Sequence, residues 1–432
     1  MKRFWSHLPM WIAVGAGLFA ITPKAGAMPQ YSRRYNLKCS ACHTMAPVLN
    51  EMGYLFKRLG YHLPPALSKG QQAPSISDLV KKEPQWTVAD NLAIAVADFG
   101  YQRQRNTQEG TTPSSPSGFQ VNIWNNYAGG WVPDTNFFYL AELDIITNGQ
   151  VNPTLTNAYF GYAGGTAKSS WYLAGGREHL QIGEGTRGAE VYSLMLASPL
   201  LFETQSPTTF VFDQSPVGLD AGYTWASNGY KQVFAITGKV TNGDNADGSE
   251  TLGLSADKNW KDLWVDADFW YASESGITFL DYYGKKDQTQ NSGADNQFTY
   301  RAAIHRTGVF ANYMIDSKVD LLGGYMKSKD DWQSVQGVPG GYFTANDYYG
   351  EVSYYPTQML SISGRYDALE QTVTGAVGRQ SMHQWNAAVN RSLVRSGTVI
   401  ARLGYSYLTG RDPMQGIKST NRLIQADVLF NF

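Results

Sequence analysis

Two cysteines and a histidine stand together near the start of the chain, in the order Cys39, Ser40, Ala41, Cys42, His43. In this pattern each sulfur can add to one vinyl group of a haem, and the two-residue gap matches the distance between the vinyls. The adjacent histidine then lies under the ring, where it can bind the iron. A disulfide or half of a zinc site is the alternative, but a structural zinc site needs four ligands and the chain has only 2 cysteines. The spacing predicts one covalent haem c, held by Cys39 and Cys42 with His43 as axial ligand.

The second axial ligand of a haem iron is usually methionine or histidine, and methionine raises the reduction potential. Met45 is too close to His43 in sequence to cross to the other face of the ring. Met52 lies in a stretch with apolar residues at helical spacing, which also fits a core position. His62 follows a helix stop at Gly60-Tyr61 and also fits a surface or satisfied histidine. The candidates for the sixth ligand are His62 and Met52, and an open or solvent-bound position is the third possibility.

A segment typical of export precedes these residues. Lys2 and Arg3 lead into an apolar run, broadly Met10 to Ile21, that ends at Ala25-Gly26-Ala27. A basic start, a short apolar core and a small-residue cleavage site indicate a secretory signal peptide. An uncleaved anchor is the alternative, but the run is shorter than the about 20 residues that span a membrane. We expect residues 1–27 to be a signal peptide, and covalent haem attachment requires such export to the periplasm.

Charge divides the remaining chain into two units. Without residues 1–27 it has 32 basic and 36 acidic residues, a net charge of −4, which gives no general case for nucleic-acid binding. Residues 28–82 carry a net charge of +6 and residues 83–432 one of −10. We expect a monohaem cytochrome c segment at 28–65, which is so small that the haem must stabilise it, then a polar linker at 66–85.

Tracts of about ten residues with alternating apolar and polar character recur from residue 86 to the end. They include residues 139–145, 263–271, 300–305 and 347–354. Leu143 and Ile304 fall on apolar faces, whereas Glu142 and His305 fall on polar ones. This period indicates half-buried strands, and an apolar face rich in aromatic residues opposite a charged face is typical of a barrel with lipid outside and water inside. The last alternating tract ends at Phe432, like the terminal strand of outer-membrane barrels.

We therefore predict an all-β fold, an outer-membrane β-barrel of about 16 strands spanning residues 86–432, with a small N-terminal α-helical haem c plug domain. A soluble sandwich or propeller is the alternative, and no 40–50-residue repeat supports a propeller. Two loops carry potential metal ligands, although a plain strand end and a solvated loop are favoured there. They are Glu178, His179 and Glu184, and Asn242, Asp244, Asp247 and Glu250. No hydrolase or nucleotide-binding motif occurs.

The N-terminal residues resemble the fused monohaem cytochrome–porins, which include outer-membrane iron oxidases. The resemblance covers about 35 residues: Tyr31 to Tyr35, Cys39 to His43, Pro47 to Asn50, Gly53, Phe56-Lys57 and Gly60-Tyr61. It implies that the haem segment plugs the barrel and that extracellular Fe(II) gives one electron to the haem near the outer face. The electron would pass to a periplasmic soluble cytochrome, which must reach into the barrel. If the chain is an enzyme, it would be an Fe(II):cytochrome c oxidoreductase.

Three other functions fit the same residues. The electron could flow outward to an extracellular acceptor, and the reduction potential would distinguish this direction. The chain could be a solute porin with a structural or gating haem, which conductance would reveal. It could also be a soluble periplasmic cytochrome with a β-domain, which would be extracted without detergent. Fe(II) oxidation in the outer membrane is the function that we favour.

Overall fold

A computed structural model describes residues 35, 37, 41–45, 48–63, 72–81, 94–147, 150–177, 195, 200, 217–227, 232–241, 262–271, 275–292, 296–332, 340–374, 379–394, 399–411 and 417–431. The expected signal peptide lies outside these residues. No described helix is long and apolar enough to cross a membrane.

The described residues of the N-terminal part include two short strands and two helices. Strand β1 (His43–Met45) pairs with β2 (Val48–Leu49), and helix α1 (Glu51–Arg58) follows. Helix α2 (Ile76–Val80) lies inside the stretch that the sequence suggested as a polar linker. Its Ile76 and Leu79 are buried, so part of this stretch packs as a structural element.

Long antiparallel strands make up most of the described chain. They are β3 (Ile94–Gln108), β4 (Ser117–Trp131), β5 (Phe137–Thr147), β6 (Gln150–Thr166), β7 (Ser169–Arg177), β8 (Val217–Ala226), β9 (Gln232–Thr241), β10 (Asp262–Tyr271), β11 (Ser275–Ser292), β12 (Asn296–Ile315), β13 (Val319–Trp332), β14 (Gly341–Thr357), β15 (Leu360–Val373), β16 (Gln380–Ser392), β17 (Val399–Arg411) and β18 (Lys418–Asn431).

The strands from β3 to β18 close into a single barrel. Each pairs with its neighbours in sequence, and β18 returns to β3, where Val428 lies opposite Phe99. Closure leaves no exposed strand edge, which a lipid bilayer requires because it offers no water to edge N–H and C=O groups. The described residues thus form a sixteen-stranded barrel, which confirms the predicted fold class and the even strand number.

The two ends of the barrel differ in the length of their connections. At one end, which we call the short-turn end, residues 167–168, 316–318 and 358–359 connect successive strands. The opposite long-loop end includes the connections 178–216 and 242–261. Successive strands run in opposite directions, and β6, β12 and β14 finish at the short-turn end. Strand β18 therefore also finishes at this end, and strand β3 starts there.

Side chains alternate between the two faces of the wall. On β8, Leu219 and Tyr223 are exposed whereas Asp220 and Thr224 are buried. On β9 and β14 the outward positions include Phe234, Ile236 and Tyr348, and the inward ones include Lys239 and Glu351. On β12 the predicted faces were wrong, because Ile304 is 1% exposed and His305 points outward. The inward neighbour there is Arg306, which pairs with Asp330.

Two apolar clusters fill parts of the interior. One joins Phe56, Leu59 and Tyr61 of the N-terminal segment, with α2, to inward side chains of β4–β7 such as Phe138. The other seats Leu200, from the long connection 178–216, against Phe343 and its neighbours on β14–β16 near the long-loop end. The lumen is therefore narrowed by the N-terminal segment on one wall and by a loop on the other.

Candidate haem site and barrel lumen

Two of the three predicted haem-binding residues, Cys42 and His43, lie at a tight turn and at the start of the strand that follows it. Ala41 and Cys42 form this turn and are half-buried, and the backbone of His43 begins β1 opposite Leu49. Cys39 lies outside the described residues. The turn brings Cys42 and His43 to the start of a small hairpin that leads directly into α1.

Asn50 connects this turn to helix α1. Its backbone N–H donates to the carbonyl of Cys42 at 2.9 Å, and its side-chain Nδ2 donates to the carbonyl of Ala41 at 3.2 Å. Its Oδ1 accepts the N–H of Gly53 at 3.1 Å, which is the N-cap interaction that asparagine favours. One side chain thus caps the helix and holds the turn at Ala41-Cys42 at a fixed position relative to it.

Helix α1 ends as the sequence predicts. Gly60 adopts a left-handed conformation with φ 68°, and Tyr61 follows with φ 65°. The N–H of Tyr61 donates to the carbonyl of Phe56 at 2.9 Å, the six-to-one bond of a Schellman motif. A Cβ on Gly60 would lie 3.0 Å from the Cβ of Ala163 on the barrel wall. Glycine is therefore required both by the backbone conformation and by the close approach to β6.

His62 and Met52, the two candidates for the sixth ligand, lie in different surroundings. His62 is 1% exposed, and its ring centroid is 4.9 Å from that of Trp131. Met52 lies on α1 and is half-buried. Of the two candidates, His62 is therefore the one that is shielded from water and lies beside an aromatic ring of the barrel wall.

These residues fit a covalent haem. An apolar, aromatic cluster is the environment that excludes water from a macrocycle, and Tyr35, Phe56, Tyr61 and Trp131 supply one beside His62. Thiol and imidazole are the donor types that the attachment needs. The haem would be held through Cys39, Cys42 and His43.

Helix α2 fastens the segment to the short-turn end. The N–H of Ala167, in the turn after β6, donates to the carbonyl of Pro74 at 3.0 Å. Ser77 Oγ donates to Oδ1 of Asn136, in the turn before β5, at 3.2 Å. Ser75 caps the helix, and its hydroxyl, donating to Asp78 at 2.7 Å, lowers the pKa of that carboxyl below its ordinary value. These contacts hold the chain at the rim of the barrel.

Inward carboxylates outnumber inward basic groups among the described strand residues. The carboxylates are Asp98, Glu142, Asp144, Asp220, Asp320, Asp330, Asp347, Glu351, Asp367 and Asp427. The basic groups are Lys239, Arg306, Arg365 and Arg402. The described lumen is therefore acidic, as the charge division of the sequence suggests.

Each described inward arginine is matched to carboxylates on its own strand or within two strands of it. Arg365 Nε lies 2.8 Å from Asp367, and its Nη1 lies 3.8 Å from Glu351. Arg402 reaches both Asp427 at 2.6 Å and Asp98 at 2.7 Å, and so bridges the seam between β18 and β3. Pairing offsets the cost of removing these charges from water.

The two loops with potential metal ligands lie outside the described residues. These are Glu178, His179 and Glu184, and Asn242, Asp244, Asp247 and Glu250. Among the residues that the structure does describe, no three His, Cys, Asp or Glu side chains gather as a metal site. Sequence reasoning missed the role of Asn50, although an asparagine directly before an apolar helical stretch is a recognisable N-cap signal.

Comparisons with known proteins match the barrel. No family model matches the chain, and no curated protein sequence does either. An anion-selective porin of Comamonas acidovorans is similar with a TM-score of 0.53 and 10% identity, over 78% of this chain and 99% of that one. OprB of Pseudomonas putida gives 0.52 and 8%, over 80% and 95%. A loop-deletion mutant of OmpT of Vibrio cholerae gives 0.50 and 13%, over 79% and 100%.

The fold and its lipid-type outer surface define an outer-membrane β-barrel. More narrowly, the barrel has a porin-like fold. In such barrels the short turns face the periplasm and the longer loops face outward, so we assign the short-turn end to the periplasm. The N-terminal segment packs at this end, through α2 and Trp131, whereas the resemblance implied a haem near the outer face.

Proposed function

We propose that the chain is an outer-membrane c-type cytochrome that takes electrons from extracellular Fe(II) and passes them to a periplasmic carrier. The observation that carries this proposal is that the segment with the CxxCH pattern packs against inward side chains of the barrel wall. A bound haem supplies a one-electron couple: Fe(II) loses one electron to become Fe(III), and the carrier receives that electron.

The acidic lumen supports a cation as the electron donor. Ten inward carboxylates against four basic groups give the described wall a negative balance, and a cleft lined by one sign of charge concentrates ions of the opposite sign. At the long-loop end, Leu200 of the connection 178–216 packs against inward side chains of the barrel. Fe(II) would meet the carboxylates after passing this loop, and Fe(III) would leave by the same route.

The position of the segment supports transfer at the periplasmic rim. Tyr35 and His62 contact Trp131, the last residue of β4, which lies at the short-turn end. Helix α2 lies beside two short turns. A carrier could therefore dock at the rim without entering the barrel, which differs from the deeper docking that the resemblance implied.

Oxidised, detergent-purified protein mixed with Fe(II) in a stopped-flow instrument tests the proposal. We expect rapid, stoichiometric reduction of the haem, seen in its absorption bands. The Cys39→Ser/Cys42→Ser double variant provides the control, because it lacks both attachment sulfurs. Reduction by dithionite but not by Fe(II), at acid and neutral pH alike, would instead favour outward electron flow.

A vesicle experiment tests the direction across the membrane. Ferric cytochrome c is enclosed in liposomes that contain the barrel, and Fe(II) is added outside. Internal reduction is expected with the protein and not with the double cysteine variant. Large solute conductance without internal reduction would favour a solute porin, for which the likeness of the barrel to porins is the supporting observation.

A further inference from the structure

The outer wall of β17, β18 and β3 carries a group of cations near the long-loop end. On the outward positions, Ile424 and Tyr405 belong to the apolar surface. Outward basic residues begin at this level, where Arg103 lies opposite Ile424, and continue toward the long-loop end. These residues, Arg103, Arg105, Arg411, Lys418 and Arg422, we call the basic patch.

Like charges in this patch lie directly opposite one another. Arg422 is the cross-strand partner of Arg105, and Lys418 is the partner of Arg411. Such pairs are unfavourable on a sheet unless an anion lies between them. The described outward positions of these three strands hold no carboxylate. Glu109 follows directly after β3, and its N–H donates to the carbonyl of Lys418 at 3.0 Å. The described outward side chains of this wall therefore concentrate positive charge.

The patch lies close to the upper edge of the apolar band, from which long basic side chains reach the lipid headgroups. Arg422 lies eight residues above Phe430 along a tilted strand, a rise of about 20 Å, and the apolar band of such barrels is about 25 Å tall. The guanidinium of Arg422 lies 5.4 Å from the ring centroid of Tyr407, and Trp385 stacks on the same ring. Tyrosine and tryptophan mark the membrane interface, so the cations stand where the outer leaflet becomes polar.

We propose that the basic patch binds phosphate groups of outer-leaflet lipopolysaccharide. Arginine forks match phosphate oxygens with two parallel hydrogen bonds, and an opposed pair such as Arg105 and Arg422 can hold one phosphate between two strands. Thr107 and Thr420 lie one step higher, with their hydroxyls in contact. The chain's seam between β18 and β3 would thus carry one ordered glycolipid. This inference rests on the barrel and not on the proposed electron transfer.

Native mass spectrometry of the detergent-solubilised full protein with purified lipid A tests the inference. The probe is lipid A with both phosphates, compared with the dephosphorylated lipid and with phosphatidylglycerol. The test variant is Arg105→Gln/Arg422→Gln. The matched control is Lys327→Gln/Lys329→Gln, which removes two outward cations from β13, five strands away from β18 around the barrel, where Lys329 pairs with Asp331. Retained folding is checked by heat-modifiable migration on gels.

We expect the test variant to bind phosphorylated lipid A about tenfold more weakly, as expected for loss of a charge-assisted contact, and the control to change by less than about threefold. The affinity of Arg105→Lys/Arg422→Lys for lipid A should fall between those of the test and control variants, since the charge stays but the two parallel guanidinium hydrogen bonds are lost. The proposal would be overturned if phosphorylated and dephosphorylated lipid A bound equally, or if the test and control variants lost equal affinity. Tighter binding of phosphatidylglycerol than of lipid A would also overturn it.

Discussion

The hydroxyl oxygens of Tyr61 and Tyr159 lie 2.9 Å apart, and both side chains are buried. Tyr61 ends the turn after α1, whereas Tyr159 points inward from β6. Phe138 packs beside both rings. This contact joins the segment with the CxxCH pattern to the barrel wall, so the position of the segment depends on groups that are 98 residues apart in sequence.

Removing one of these hydroxyls should loosen the segment. Tyr61→Phe or Tyr159→Phe alone leaves a buried hydroxyl with a lost bond, at a cost of about 1–3 kcal/mol. The double variant should lose less docking free energy than the sum of the two single variants, because it leaves neither hydroxyl without the other. Protease cleavage between the segment and the barrel measures the docking free energy. Tyr313→Phe, on the exposed outer face, is the control, and additive single effects would contradict a direct bond.

Asn50 should matter for the attachment turn beyond its helix cap. Asn50→Ala removes both the cap and the bond to Ala41, whereas Asn50→Asp keeps an acceptor for Gly53 and loses the donor to Ala41. We expect a lower yield of covalent haem in both variants and a loss of about 1 kcal/mol in stability in Asn50→Ala. Ser75→Ala, which removes the cap of α2, is the control. A full haem yield in Asn50→Asp would sink the idea.

The sixth ligand can be assigned by spectroscopy. Because His62 is buried beside the aromatic cluster whereas Met52 is half-buried, we expect His62→Ala to convert the haem from low to high spin. Met52→Leu should leave the spectrum unchanged. Electron paramagnetic resonance of the oxidised protein reports both. If Met52→Leu changes the spin state instead, methionine is the ligand. Since methionine raises the potential, the same variants bear on the direction of electron flow.

Arg402 should stabilise the barrel seam. Arg402→Met leaves Asp98 and Asp427 buried without their cation, and breaking such a buried pair costs about 3–5 kcal/mol. Urea unfolding followed by tryptophan fluorescence measures the loss. Adding Asp98→Asn and Asp427→Asn should restore part of it, since the stranded charges are removed. Arg391→Gln, on the exposed outer face, should change little. Unchanged stability in Arg402→Met would show that the seam does not depend on this ion pair.

Local sequence patterns predict much of the secondary structure of this protein. The period of two in the strands predicts half-buried β-structure because side chains alternate between lipid and lumen, and the number of residues fixes how many strands can form. The spacing of Cys39, Cys42 and His43 predicts haem attachment, which stays a prediction. Gly60-Tyr61 predicts the end of α1 because few residues accept the left-handed conformation, and the structure has it there.

Long-range packing decided the rest. Nothing local in the sequence tells that Tyr61 meets Tyr159, that α2 packs at the short-turn end, or that Leu200 enters the lumen, because each contact joins residues that are distant along the chain. The inverted faces at Ile304 and His305 have the same origin, since closure of the barrel fixes the register of β12 between two neighbours. A strand's pattern says that its two faces differ, and only the closed barrel says which face is inside.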